Sequence, residues 1–124
     1  MKNLDQVRAQ NALNAAKSTH FEGAEGGSIV KKIPTMIREN GFLGALAFAC
    51  EKNSKGEKKS GDHHLVFEKI MTHLQDKRIE IIPNDAGKTA DDLLSHVTSV
   101  SSTELRAITD ETMAYLSYLR RFAS

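Results

Sequence analysis

The chain has 124 residues and sets 17 Lys and Arg against 16 Asp and Glu, so any nucleic-acid role must come from how charge is distributed and not from its total. That length predicts a single domain over residues 1–124 with a core of its own, near the lower end of what buries well. The lone Cys50 lies in an apolar run, which excludes an internal disulfide and predicts a reducing, cytoplasmic setting. No stretch approaches the ~20 apolar residues that cross a bilayer, and the polar N-terminus lacks a secretory h-region, so no membrane role is expected.

Asn3, three residues before Gln6, predicts a capping box that opens a helix to about Ser18. Two apolar stripes run along it, Leu4, Val7 and Ala15 on one side and Ala9, Ala12, Leu13 and Ala16 on another, the pattern of a helix sandwiched between neighbours. After a Gly-rich linker, Ser28 is a plausible N-cap. Ile29, Ile33, Met36 and Ile37 then follow i, i+4, i+7, i+8 spacing, with Pro34 inside the pattern. An interior proline costs roughly 3 kcal/mol, and burying four large aliphatic side chains is worth roughly 1.5 to 3 kcal/mol each. The helix is therefore expected to kink or restart at Pro34 and to end at Asn40-Gly41, with Gly41 in the left-handed C′ conformation.

From Gly41 to about Lys52 the residues are apolar on both sides, which predicts a central, buried helix. Residues 53–61, rich in Lys, Ser and Gly, are expected to form a mobile loop. Asp62 is placed to cap a helix carrying Phe67, Ile70, Met71 and Leu74 at helical spacing. The run RIEIIP has strand composition, but Pro83 and the lack of a second strand-like run favour an extended connection. Thr89 is expected to cap a short helix to about Thr98, Ser101 with Glu104 forms a second capping box, and Thr109, Asp110 and Glu111 mark a further helix start. Thr112, Tyr115, Leu116, Leu119 and Phe122 share the last apolar face. The sum is an all-α bundle of about six helices around a central apolar helix, without a significant sheet.

Catalytic motifs are weak. Gly87-Lys88-Thr89 echoes a phosphate-binding loop, but the glycine required five positions earlier is Ile82, so a turn with a helix cap is the better reading. His63, His64 and His73 raise a metal hypothesis; adjacent histidines diverge by about 100° on a helix, and His64 and His73 stand more than two turns apart. Solvated histidines on a helix are the expectation. Asp91 and Asp92 suit the first turn of a helix. No catalytic residue, metal site or cofactor is predicted. The basic residues offer more. Lys31, Lys32 and Arg38 lie off the apolar stripe, Lys52, Lys55, Lys58 and Lys59 sit at or in the loop, and Arg8, Lys17, Arg120 and Arg121 add charge on the terminal helices. Such groups neutralise phosphates with little sequence selectivity, although a solvated surface accounts for the same charges. Only seven aromatics are present (five Phe, two Tyr), mostly at core positions, so no base-stacking platform is indicated.

The segments LDQVRAQNAL, VKKIPTMIRENGFLGALAFACEK and ELRAITDETMAYLSYLRRFA resemble, in order and spacing, the small all-helical subunit of the type III-B CRISPR effector, the Cmr complex. The most specific part is Ile33-Pro34-Thr35, followed by Asn40-Gly41 and Leu46-Ala47-Phe48. The resemblance implies a non-catalytic subunit in antiviral defence, present in more than one copy and stacking along a filament beside guide-bound backbone subunits, with a large polymerase-like subunit as a further partner. Its basic surface would line the path of target RNA paired with CRISPR RNA. Carried over by position, Arg8, Lys31, Lys32, Arg120 and Arg121 are the implied RNA contacts, and Lys17 and Arg38 complete the candidate set by charge. Two other readings stay open: a helical adaptor that binds only protein, and a small metallohydrolase using His63, His64 or His73.

Overall fold

A computed structural model describes residues 3–19, 28–57 and 62–123. Helix α1 spans Leu4–Ser18, α2 Ser28–Cys50, α3 His63–Leu74, α4 Ala90–Val97 and α5 Ser102–Phe122, with one 3-10 turn at Asn84–Ala86. No strand occurs among the described residues, so the chain is all-α, with five α-helices where about six were expected. Two expected boundaries are not counted. At Gly41 both arms belong to one kinked helix, α2, and at Thr109 Asp110 and Glu111 do not start a helix but continue α5, because Ile108, Thr112 and Tyr115 on either side form one uninterrupted buried stripe.

Capping follows local chemistry. The Asn3 side chain accepts from the Gln6 N–H while the Asn3 N–H donates to the Gln6 side-chain Oε1, both at 2.9 Å. Thr89 and Asp92 form the same reciprocal box on α4, and Ser101 accepts from the Glu104 N–H. Asp62 precedes α3 but makes no capping hydrogen bond with its side chain.

Helix α2 organises the bundle, packing on α3, α4 and α5. Its backbone stays helical through Pro34 and leaves the helical region at Gly41, at φ 78° and ψ 163°. The positive φ was expected, but this ψ lies outside the left-handed helical well, in a region that essentially only glycine enters. The first arm buries Ile29, Val30, Ile33, Pro34 and Ile37, and the second Phe42, Ala45, Leu46, Ala49 and Cys50. Phe42 meets Phe67 of α3 edge to face, at 5.7 Å between ring centroids. The second arm is not buried all round: Leu43, Ala47 and Phe48 remain exposed, since α3, α4 and α5 cover only one side of it.

Helix α1 likewise buries one face, not two. Val7, Ala12 and Ala15 point inward while Leu4 and Leu13 stay at the surface, because α1 packs on α5 and α3 and the polar Arg8 and Asn11 share its inward side. Between α3 and α4 no strand forms, but the RIEIIP run is not the extended connection expected. The Ile79 and Glu80 N–H groups turn back onto the Asp76 carbonyl at 2.8 and 2.7 Å, and the Ile81 and Ile82 N–H groups both donate to the Leu74 carbonyl at 3.0 and 3.1 Å. Glu80 takes a positive φ of 52°, and Ile82 enters the core. The part of the expected mobile loop that is described, residues 53–57, is a tight turn in which the Asn53 side chain accepts from the Lys55 and Glu57 N–H groups at 2.8 and 3.0 Å. Residues 58–61, with Lys58 and Lys59, and most of the Gly-rich linker lie outside the described residues.

Candidate nucleic-acid interface

The polar groups fall into two kinds. Inside, a hydrogen-bonded chain ties α1 to α3 and α5. The Arg8 Nε and Nη2 atoms donate to the two Glu111 oxygens, each at 2.8 Å, and Nη1 reaches Asp5 at 3.1 Å. Glu111 also faces His73 Nε2 at 2.9 Å, and the other ring nitrogen, Nδ1, stands 2.9 Å from the Asn11 amide nitrogen. That amide donates a second bond to Asp76 at 3.0 Å, and Asp76 is held in turn by Arg78 at 2.8 Å. The pattern assigns a neutral His73 that carries its proton on Nε2, donates to Glu111 and accepts from Asn11. Its ring stacks on Tyr115, at 4.3 Å between centroids.

Electrostatics agrees. Burial pushes the His73 imidazole below its ordinary value, against the pull of Glu111. Burial pushes the Glu111 carboxyl up, but the hydrogen bonds from Arg8 and His73 outweigh it and hold it below the usual range. The Glu111 bond raises the Arg8 guanidinium further, and Asp76 is held low chiefly by Arg78. Two expectations change here. His73 is not a solvated histidine but 1 % exposed, and with both nitrogens engaged it has no lone pair for a metal. Arg8, expected at a phosphate, has its guanidinium turned onto Glu111 and Asp5. A signal for this junction was present: His73 falls at i+7 from Val66 on the apolar face of α3, and Glu111 stands four residues before Tyr115 on that of α5, so both polar side chains sit on buried stripes.

Outside, cations face solvent. Lys17, Lys32, Arg38, Arg120 and Arg121 are exposed, and none pairs with a carboxylate among the described residues. The fold brings two of them together. Arg38 of α2 and Arg120 of α5 flank a cleft of about 140 Å³ floored by Pro34, Met113 and Ser117, a seam that exists only because α5 lies against the first arm of α2. Arg121 follows Arg120 on the last turn of α5. Lys31 and Lys32 border a larger groove of about 1140 Å³ at the elbow of α2, lined also by Met36, Phe48 and His63. Lys31 and Arg38 are seven residues apart on one helical arm, about 10 Å along its axis. Lys17 lies in the last turn of α1 and lines neither cleft. Lys52 faces Asp91 at 3.7 Å with both side chains about half exposed, a contact of little energetic weight.

Gly87-Lys88-Thr89 is the turn and cap that its partial motif suggested. The Lys88 and Thr89 N–H groups converge on one Asp92 oxygen, at 3.0 and 3.1 Å, Lys88 Nζ donates to Gln75 at 3.0 Å, and a Cβ on Gly87 would collide with Asp92. No group of three or more His, Cys, Asp or Glu side chains able to hold a metal occurs among the described residues, nor is any helix there long and apolar enough to cross a membrane.

Fold and surface together define a class: a small helical protein with an apolar core, a polar junction that serves its own stability, and cations presented outward. The chain matches the family described as CRISPR-associated protein (Cas_Cmr5) over residues 4–124 and belongs to that family, the small structural subunit of the type III-B CRISPR (Cmr) complex. No curated protein and no solved structure matches it.

Proposed function

We propose that this subunit is a non-catalytic cytoplasmic scaffold, folded as one domain, that stacks along the Cmr filament in more than one copy and supports paired guide and target RNA through phosphate contacts. Its partners in this reading are the backbone subunits, the large polymerase-like subunit and sister copies of itself. The supporting observation is the seam between α2 and α5, where Arg38 and Arg120 approach from two helices without a carboxylate partner among the described residues. Two cations lining one cleft suit a phosphate backbone, contact with which gives affinity without sequence preference. Arg121, Lys31, Lys32 and Lys17 extend the same outward charge, while Arg8 is left out because its guanidinium is already engaged inside the bundle. Family membership supports the assembly role, and exposed Leu43 and Phe48 give the elbow of α2 apolar surface for neighbouring protein.

Target-RNA retention by the reconstituted complex, measured against salt concentration, tests this reading. Arg38→Glu with Arg120→Glu is expected to weaken retention and to flatten the salt dependence by about one unit of slope per lost phosphate contact. Unchanged retention and slope, with the complex still assembled, would replace it by an adaptor that touches protein alone.

A further inference from the structure

A third cleft, of about 220 Å³, opens between α1, α3 and α5, away from the seam and the elbow. Asn14 and Ser18 of α1 and Lys69 and Thr72 of α3 wall it, and the stacked His73 and Tyr115 rings also line it. The Ser18 and Thr72 hydroxyls donate to the Ala15 and Glu68 carbonyls, at 3.4 and 3.1 Å, and both His73 nitrogens are engaged. The remaining donors are the Lys69 ammonium, the Asn14 amide and the Tyr115 hydroxyl, none of which has a hydrogen-bond partner among the described residues.

Tyr115 is 1 % exposed as a residue, but its hydroxyl is not a buried orphan, since Thr112 Oγ1 is the one such atom among the described residues. Without a protein partner, the Tyr115 hydroxyl opens onto the cleft that the residue lines. Burial alone pushes its hydroxyl above the usual range, so it keeps its proton and can only gain from an acceptor. No carboxylate lines the cleft, and the nearby Glu111 and Asp76 are already satisfied by Arg8, His73, Arg78 and Asn11. One ammonium and two neutral donors, uncompensated by negative charge, are complementary to an oxyanion.

We propose that this cleft binds a phosphate group, with Lys69 supplying the charge and Asn14 and Tyr115 the orienting hydrogen bonds. Its volume is several times the ~30 Å³ share of one water molecule, so it admits a phosphate together with part of an attached sugar. The phosphate comes either from an RNA backbone or from a free mononucleotide or inorganic ion. The site does not depend on the seam or on the assembly role proposed above.

The test is a heteronuclear NMR titration of the full chain with inorganic phosphate, a nucleoside monophosphate and a short single-stranded RNA. The expected result is that Lys69, Asn14 and Tyr115 resonances move with at least one ligand, and that Lys69→Gln and Tyr115→Phe each weaken that binding about tenfold. Tyr115→Phe keeps the ring and its stacking, and Lys69→Gln should melt with the wild type, so neither loss would reflect unfolding. RNA binding here at least about tenfold tighter than the small phosphates assigns the site to a backbone phosphate, whereas comparable affinities assign it to the free anion. Resonances that stay still while other basic residues respond, or an affinity unaltered in both variants, would overturn the proposal.

Discussion

Arg8 and Arg38 are the same side chain on two amphipathic helices, and the bundle uses them in opposite ways. Arg8 turns inward onto a carboxylate 103 residues away, and through Glu111 it joins a histidine, an amide and a second carboxylate into the junction that seats α1. Arg38 faces outward and lines one cleft with Arg120, forming no ion pair with a carboxylate among the described residues. A partly buried cation paired with a buried carboxylate holds a fold together and is costly to disturb, whereas an exposed unpaired cation contributes little to stability and is available to an outside anion. The contrast teaches that basic residues become functional candidates by what the fold leaves unpaired around them.

The largest way to break the contrast is at Glu111. Glu111→Ala removes both Arg8 bonds and the His73 partner while leaving their donors inside, so a loss of about 3 to 5 kcal/mol is expected in urea unfolding; a loss below ~1 kcal/mol would show that the junction is not what holds α1. Gly41→Ala comes next. Open space surrounds a Cβ there, so the expected cost of about 1 to 3 kcal/mol comes from backbone conformation alone, and an unchanged denaturation midpoint would contradict that origin.

Acid sharpens the comparison by a smaller amount. The folded value of His73 is lowered relative to its ordinary 6.5, so its contribution is present above that value and is lost as pH falls from it through the folded one. Glu111 is lowered from 4.5, so its contribution is lost further down, below 4.5, in the same direction. Stability should therefore decline on acidification below about pH 6.5, and His73→Gln should abolish the first part of that decline. A stability profile flat from pH 7 to 5 in the wild type would refute the neutral, doubly bonded imidazole. The smallest stability change belongs to the seam: Arg38→Glu and Arg120→Glu should each leave unfolding within about 0.5 kcal/mol while weakening RNA retention by the assembled complex. A large destabilisation would mean that the seam is structural like Arg8.

Much of this was legible in the chain. Caps announced themselves at Asn3, Thr89 and Ser101, since a side-chain oxygen three residues from its donor needs no distant partner. Helical periodicity located α2, α3 and α5 and most of their buried faces, although Phe122, placed on the last apolar face, is exposed at the end of α5. The elbow was marked by Asn40-Gly41, though its ψ was not, because no neighbouring residue dictates which of the glycine-only regions is used. Composition misled at the second arm of α2, where apolar residues on both sides are covered on only one, and at Thr109 to Glu111, where a good start signal lies inside a longer helix.

Local chemistry by itself determined that this protein is helical, where most helices begin, and which aliphatic residues of α3 and of the first arm of α2 enter the core, because those follow from spacing within a few turns. Only the tertiary structure decided the fate of the charges. Whether Arg8 meets Glu111, whether His73 is bathed in water or pressed against Tyr115, and whether Arg38 stands beside Arg120 depend on which helices pack together. A charge is stabilised by whatever the fold brings within a few ångströms of it, however far away in sequence that partner lies.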